Sequence, residues 1–242
     1  MYGMRNVATL IMLQLVIAIA SAGDAANVLS AGEKQAGWTL LFDGETTMGW
    51  HTFNAKGIDA RWSVRDGELV LARSATGVVS GADIETEQSF ADFELSLEWR
   101  MSPKGNSGII YRVRGAGHEH PWTAGPEYQL LDNAAAGDPP IHQAGSVWDL
   151  YPPALDATKP VGEFNLTRIT VSGNHVEHWM NGKRILSYEL GSSDFKARLA
   201  KSAYADQPQF GVAPSGTIVL QDEGRVMAFR NIKLRRLGLA SK

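Results

Sequence analysis

Short apolar runs, each broken by a turn after a few residues, govern what this chain can form. Residues 166–190, LTRITVSGNHVEHWMNGKRILSYEL, hold three such runs, punctuated by Gly173-Asn174 and Asn181-Gly182. Asn-Gly and related pairs supply the positive φ angles that two-residue hairpin turns require, so this stretch reads as a meander of hairpins. Residues 61–72, RWSVRDGELVLA, carry the same signal at Asp66-Gly67. In FELSLEWR (93–100), Phe93, Leu95, Leu97 and Trp99 fall on one face and Glu94, Ser96, Glu98 and Arg100 on the other, because strand side chains alternate. GIIYRVR (108–114), GPEYQLLDN (125–133), PQFGVAP (208–214), GTIVLQD (216–222) and VMAFRNIKLRRL (226–237) supply further strands. Only Ser193–Ala200 reads as helix, with a serine or aspartate cap. Short strands with Gly-rich turns predict an all-β protein, a sandwich or barrel. No fixed-period repeat marks a propeller.

Composition narrows the function classes. The chain has 242 residues, which suits one large β domain, and its 44% hydrophobic content supplies a sizeable core. A net charge of -3 argues against a nucleic-acid partner, which favours a basic face. The absence of cysteine removes disulfides, thiolate nucleophiles and Cys-based zinc sites. At the N-terminus, Arg5 precedes an apolar run from Val7 to Ala20 and small residues around Ala20-Ser21-Ala22. That is the layout of a secretory signal peptide, with a run short for a membrane span. The expected organisation is a signal peptide over 1–26, a polar connector over 27–36 and a single domain over 37–238. The expected location is periplasmic or secreted, with no membrane association after cleavage.

Two long irregular segments, 115–126 and 132–162, contain Trp122, Trp148, Tyr151 and the histidines His118, His120 and His142. They are too aromatic for ordinary disorder and read as ordered loops beside a site. Trp122, Trp148 and Tyr151 are candidates for stacking on sugar faces. In the strand GPEYQLLDN, Glu127 and Gln129 share a face opposite Tyr128 and Leu130. That polar face is either solvated or the floor of a site. Asp132 falls out of phase with Glu127 and opens the second long loop.

The blocks GWTLLFDGETTMGW, DFELSLEWR, NSGIIYRV, GPEYQLLDN, HVEHWMNGKRILSYE and LQDEGRVMAFRNIKLR occur in this order between Gly37 and Leu237. In them the chain resembles the 3-keto-disaccharide hydrolase domain family. The resemblance implies a concanavalin-like jelly roll of two antiparallel sheets with one short helix. It also implies an exported enzyme acting on glycosides already oxidised to a ketone at sugar carbon 3. The chain departs from the family pattern at Glu223, where histidine is usual, and at Phe164, where tryptophan is usual.

A 3-keto group acidifies the hydrogen on carbon 2. Removing that proton gives an enolate, which expels the aglycone from carbon 1 by β-elimination, and later addition of water makes the outcome a hydrolysis. The chemistry needs a base, a donor or cation for the enolate oxygen, and an acid for the leaving oxygen. Glu127 is the expected base or metal ligand, His178 a second catalytic candidate and His142 the candidate acid. Glu98, Arg100, Arg112, Gln129, Asp132 and Trp148 are the expected substrate-binding residues, with Arg112 suited to an enolate or to sugar hydroxyls and equally to a surface position. Bland alternatives stand beside several of these. Glu98 and Arg100 also fit an exposed ion-pair ladder, His178 a satisfied core histidine, and Asn106 and Ser107 turn formers. A divalent metal held by oxygen ligands, or at the His118-Glu119-His120 triplet, is compatible with the residue types, though no spaced metal signature is present. The competing functional readings are an ordinary two-carboxylate glycosidase and a non-catalytic carbohydrate-binding module.

Overall fold

A computed structural model describes residues 26–75, 81–115, 117–207 and 209–238. Thirteen strands appear among them. They are β1 (Trp38–Leu40), β2 (Trp50–Thr52), β3 (Trp62–Arg65), β4 (Glu68–Leu71), β5 (Ile84–Thr86), β6 (Phe93–Met101), β7 (Asn106–Val113), β8 (Glu127–Leu131), β9 (Asn165–Ser172), β10 (His175–Met180), β11 (Lys183–Glu189), β12 (Thr217–Leu220) and β13 (Met227–Arg236). Two antiparallel sheets result. The larger runs β11-β10-β9-β6-β13-β4-β3, with β1 also paired to β13, and the smaller runs β2-β5-β12-β7-β8. The molecule is therefore a jelly-roll type sandwich.

Alternation explains which faces meet. Phe93, Leu95, Leu97 and Trp99 of β6 point inward and meet Ile109 and Tyr111 of β7 and Tyr128 and Leu130 of β8 in one buried core. Burying each such side chain contributes on the order of 2 kcal/mol. Asp66-Gly67 and Asn181-Gly182 both take positive φ at the predicted hairpin turns. That left-handed pair matches the twist of the flanking strands.

Several expectations are corrected here. Residues 27–36, expected as a polar connector, hold structure of their own. Asn27 is buried, its amide donating to Gly67 O (2.7 Å) and its carbonyl accepting from Asn231 N (2.8 Å). Ala31–Gln35 forms helix α1, closed by a Ser30/Glu33 capping box. Helix α2 (Asn133–Ala136) adds a further turn beyond the expected helix, which appears as α3 (Ser193–Leu199). Residues 209–214, expected as a strand, form turns and bends. The expected signal peptide falls on residues 1–25, outside the described residues, plus Ala26.

Candidate active site

The outer face of the smaller sheet carries the site. On it, Ile110, Val113 and Val219 form a second, small apolar cluster with Phe53 and Ala124. That cluster lies beneath the 3-10 turn Pro121–Thr123. Beyond it the face turns polar and opens into a cavity of about 520 Å³. Glu127, Gln129, Asn106 and Gln221 line its floor, and Trp122, Trp148, Tyr204 and Glu223 form the walls.

Alternation in β8 delivers Glu127 and Gln129 to this cavity and sends Tyr128 and Leu130 into the core. The carboxyl of Glu127 then lies across β7, where Ile110 pairs with Glu127 and Gly108 with Gln129. A Cβ on Gly108 would stand 2.2 Å from Glu127 Oε1. The glycine in NSGII is therefore what allows the carboxyl to occupy its place. In the amide orientation that satisfies its neighbours, Gln129 donates from Nε2 to Glu127 Oε1 (2.8 Å) and to Ser107 O (3.2 Å). Its Oε1 then lies 3.0 Å from the Asn106 side-chain oxygen, so the Asn106 amide turns as well for its Nδ2 to donate there. Burial, followed by the charges of Glu223 and Asp83, holds the Glu127 pKa well above the usual carboxylate range. Burial also raises Glu223 to about 7, with Asp83 and Asp222 adding to the effect. Asp83 rises to about 6, again by burial first, against the stabilising Asp222 N–H.

The walls are aromatic, and each indole is backed by an imidazole. His142 stacks on Trp148 at 4.7 Å and donates from Nε2 to Asp149 Oδ1 at 2.9 Å. Trp148 meets Tyr204 edge-on at 5.7 Å, and Tyr204 stacks on Phe210 at 4.3 Å. On the opposite wall His120 stacks on Trp122 at 5.1 Å. The loop carrying Trp148 pairs with β8 as a partial extra strand. Trp148 N donates to Glu127 O (3.2 Å), Gly145 N to Gln129 O (2.8 Å) and Gln129 N to Ser146 O (3.2 Å). An open edge strand is thereby covered.

Of the residues expected in the site, Glu127, Gln129, Trp122 and Trp148 line the cavity. His142 is not among the residues lining the cavity and stacks on Trp148. His178 is fully buried between the sheets. Its Nδ1 donates to Gly145 O (2.9 Å), its Nε2 accepts from Tyr111 Oη (2.9 Å), and Tyr111 meets Tyr188 Oη at 2.6 Å. Burial lowers its pKa to about 4, so it is a neutral core histidine. Glu98 and Arg100 lie on the outer face of the larger sheet, in ion pairs with Arg230 and Glu68. Arg112 occupies the β7 bulge opposite Thr217/Ile218 with φ 56°. There the alternation slips, and its guanidinium binds Ala91 O, Gly173 O and Asp92, away from the cavity. Asp132 caps α2 and accepts from Lys104 N and Ala135 N. Tyr151 is buried against Tyr188.

The HEH triplet is not a chelate: His118 Nδ1 contacts Thr123 Oγ1 at 2.9 Å while His120 faces Trp122. Among the described residues, no three His, Asp or Glu side chains converge as metal ligands. Sequence reasoning missed Tyr204 and Gln221, read Asn106 as a turn former and gave Gly108 no role. For Gln221 and Gly108 a signal existed, since both share the outward phase of their strands with cavity residues.

A family model, the 3-keto-alpha-glucoside-1,2-lyase-like domain, matches residues 37–235. The chain belongs to this family. It is 30% identical over 229 residues to the 3-keto-disaccharide hydrolase of Bacteroides thetaiotaomicron, spanning 83% of this chain and 79% of that protein. It also matches a solved candidate glycosyl hydrolase from Parabacteroides distasonis at 32% identity, with a TM-score of 0.81 over 88% of this chain and 100% of the other. A second structure from that organism, at 24% identity and TM-score 0.61, shares the fold over 83% and 99% of the two chains. The family member described here is therefore a carbohydrate-active, glycoside hydrolase-like enzyme. A buried carboxylate on the cavity floor is also what a purely binding module would not need.

Proposed function

We propose that this cavity cleaves glycosides whose sugar carries a ketone at carbon 3, by elimination across carbons 1 and 2 followed by addition of water. The observation that carries the reading is Glu127, a buried carboxylate held over Gly108 on the cavity floor by Gln129. Desolvation makes a carboxylate a stronger base, as abstraction of a carbon-bound proton demands. None of the described residues lining the cavity is a lysine or arginine, so the enolate oxygen falls to neutral donors. The Tyr204 hydroxyl and the Asn106 amide are the candidates. Trp122 and Trp148 give the sugar apolar faces to stack on. The name of the Bacteroides relative and that of the family model both point to 3-keto substrates.

The test is to incubate the enzyme with 3-keto-disaccharides and with their unoxidised parents. Cleavage of the keto forms alone is expected. Equal cleavage of the parents favours an ordinary two-carboxylate glycosidase, and no cleavage of either overturns the proposal. We further read residues 1–26 as an export signal. N-terminal sequencing of the protein recovered from the periplasm of a Gram-negative host should begin near Gly23 or Asn27.

A further inference from the structure

The segment after β12 brings a second carboxylate to the same cavity under strict control. Gln221 N donates to Gly108 O (2.9 Å), which extends the pairing of β12 with β7 past the end of the strand. Asp222 is then locked. Arg61 Nη2 donates to its Oδ2 (2.6 Å), Gly224 N donates to its Oδ1 (2.9 Å), and its own N–H donates to Asp83 Oδ1 (2.7 Å). With Asp222 turned inward and fully buried, alternation sends Gln221 and Glu223 outward, and both line the cavity with Glu127. Glu223 remains partly exposed, where Glu127 is buried. The two carboxyls thus differ in setting, one buried and fixed in the sheet and one partly exposed at the cavity.

We propose that Glu223 is the second catalytic residue of this enzyme, the proton donor to the departing glycosidic oxygen. The assignment rests on the elimination reading above. In the first half, Glu127 takes the carbon-2 proton, and the C–H electrons form the carbon 2–carbon 3 enolate. The enolate collapses to restore the ketone and form a carbon 1–carbon 2 double bond. The carbon 1–oxygen bond breaks, and the leaving oxygen takes the proton of Glu223. In the second half, the Glu223 carboxylate removes a proton from water as its hydroxyl adds to carbon 1. Glu127, whose proton exchanges with solvent between the two halves, returns a solvent proton to carbon 2. Both carboxyls end as they began, and no oxidant or reductant is consumed. Burial and the flanking Asp83 and Asp222 raise Glu223 to about 7, so its proton-donating and proton-accepting forms are both populated near neutral pH, as the two halves require.

The test compares two 3-keto-glucosides in deuterated water: a disaccharide, whose alkoxide leaving group needs a proton, and a nitrophenyl glycoside, whose phenolate leaves without one. Glu223→Gln should lose about 10²–10⁴-fold in kcat/KM on the disaccharide but less than about tenfold on the nitrophenyl substrate. It should still place deuterium at carbon 2, which shows a folded protein with a working Glu127. Glu223→Ala should regain disaccharide cleavage when imidazole, whose conjugate acid is populated near neutral pH, is added as a replacement acid. Equal losses on both substrates, or no loss on the disaccharide, with carbon 2 labelled by the wild type, overturn the Glu223 assignment alone. A wild-type enzyme that cleaves without labelling carbon 2 overturns the elimination reading and this assignment with it.

Discussion

Glu127 holds a buried position that a carboxylate rarely keeps without a cation, and its neighbours explain how. Gly108 leaves the space, Gln129 supplies an N–H, and Asn106 orients Gln129. Each of these is testable. Glu127→Gln should leave substrate binding nearly intact and cut kcat by about 10³-fold or more, measured by initial rates on a 3-keto-disaccharide. Gly108→Ala should force the carboxyl aside, because the new methyl would overlap Oε1, Cδ and Cγ of Glu127. A loss of about 10–100-fold in kcat is expected, since a misplaced catalytic group loses that much. An unchanged kcat in this variant would contradict the placement of the base.

The raised pKa of Glu223 has a consequence for stability, since a group whose folded pKa lies above its unfolded value destabilises the fold once pH exceeds the unfolded value. Between about 4.5 and 7 this penalty accumulates. Glu223→Gln should therefore stabilise the protein at pH 8, on the order of 2 kcal/mol after allowance for partial exposure, and do little at pH 4. Thermal unfolding at the two pH values checks this.

At the scale of elements, the decisive unit is β8 with the loop that covers its edge. The loop reaches the core through Gly145, whose carbonyl accepts from His178. His178 thus acts at a distance, holding the segment that carries Trp148 beside Glu127. Its folded pKa of about 4 lies below the ordinary 6.5. Its contribution is then fully present above pH 6.5 and is lost as pH falls from there through about 4, on the order of 3 kcal/mol in all. The unfolding free energy of His178→Phe should lack this acid dependence. Trp148→Ala, by removing a stacking wall, should raise KM about 10-fold or more while leaving kcat within a few fold. Strand phase made β8 legible in the sequence, because Glu127 and Gln129 follow from alternation alone. Arg112 was misread by the same rule, since a bulge shifts the phase and no residue type announces it. Glu98 and Arg100 had the correct phase, but phase does not say which sheet a strand joins. The placement of β6 in the larger sheet is decided by its pairing with β9 and β13, far along the chain.

For the molecule as a whole, the two sheets use their outer faces differently. The larger sheet carries ion pairs and cations over aromatic rings, such as Arg230 over Phe164 at 3.8 Å and Arg168 over Trp179 at 4.1 Å. The smaller sheet is half covered by the Phe53 cluster and half open as the cavity. The sandwich was legible because turn pairs and alternation recur locally along the chain. Of the walls, Trp122 and Trp148 were legible as aromatic residues of long loops, whereas Tyr204 was not, because its segment reaches the cavity through contacts distant in sequence. Tyr204 sits in the turns after α3 and meets Trp148 only in the folded state.

The central claim is that Glu127 removes the carbon-2 proton. Its most direct measurement is the deuterium content of carbon 2 in the sugar released from a 3-keto-disaccharide in deuterated water, corrected for the enzyme-free exchange. We predict one solvent deuteron at carbon 2 for each bond cleaved by the wild type, and neither label nor cleavage above background with Glu127→Gln. Cleavage that leaves the original hydrogen on carbon 2 would contradict the account.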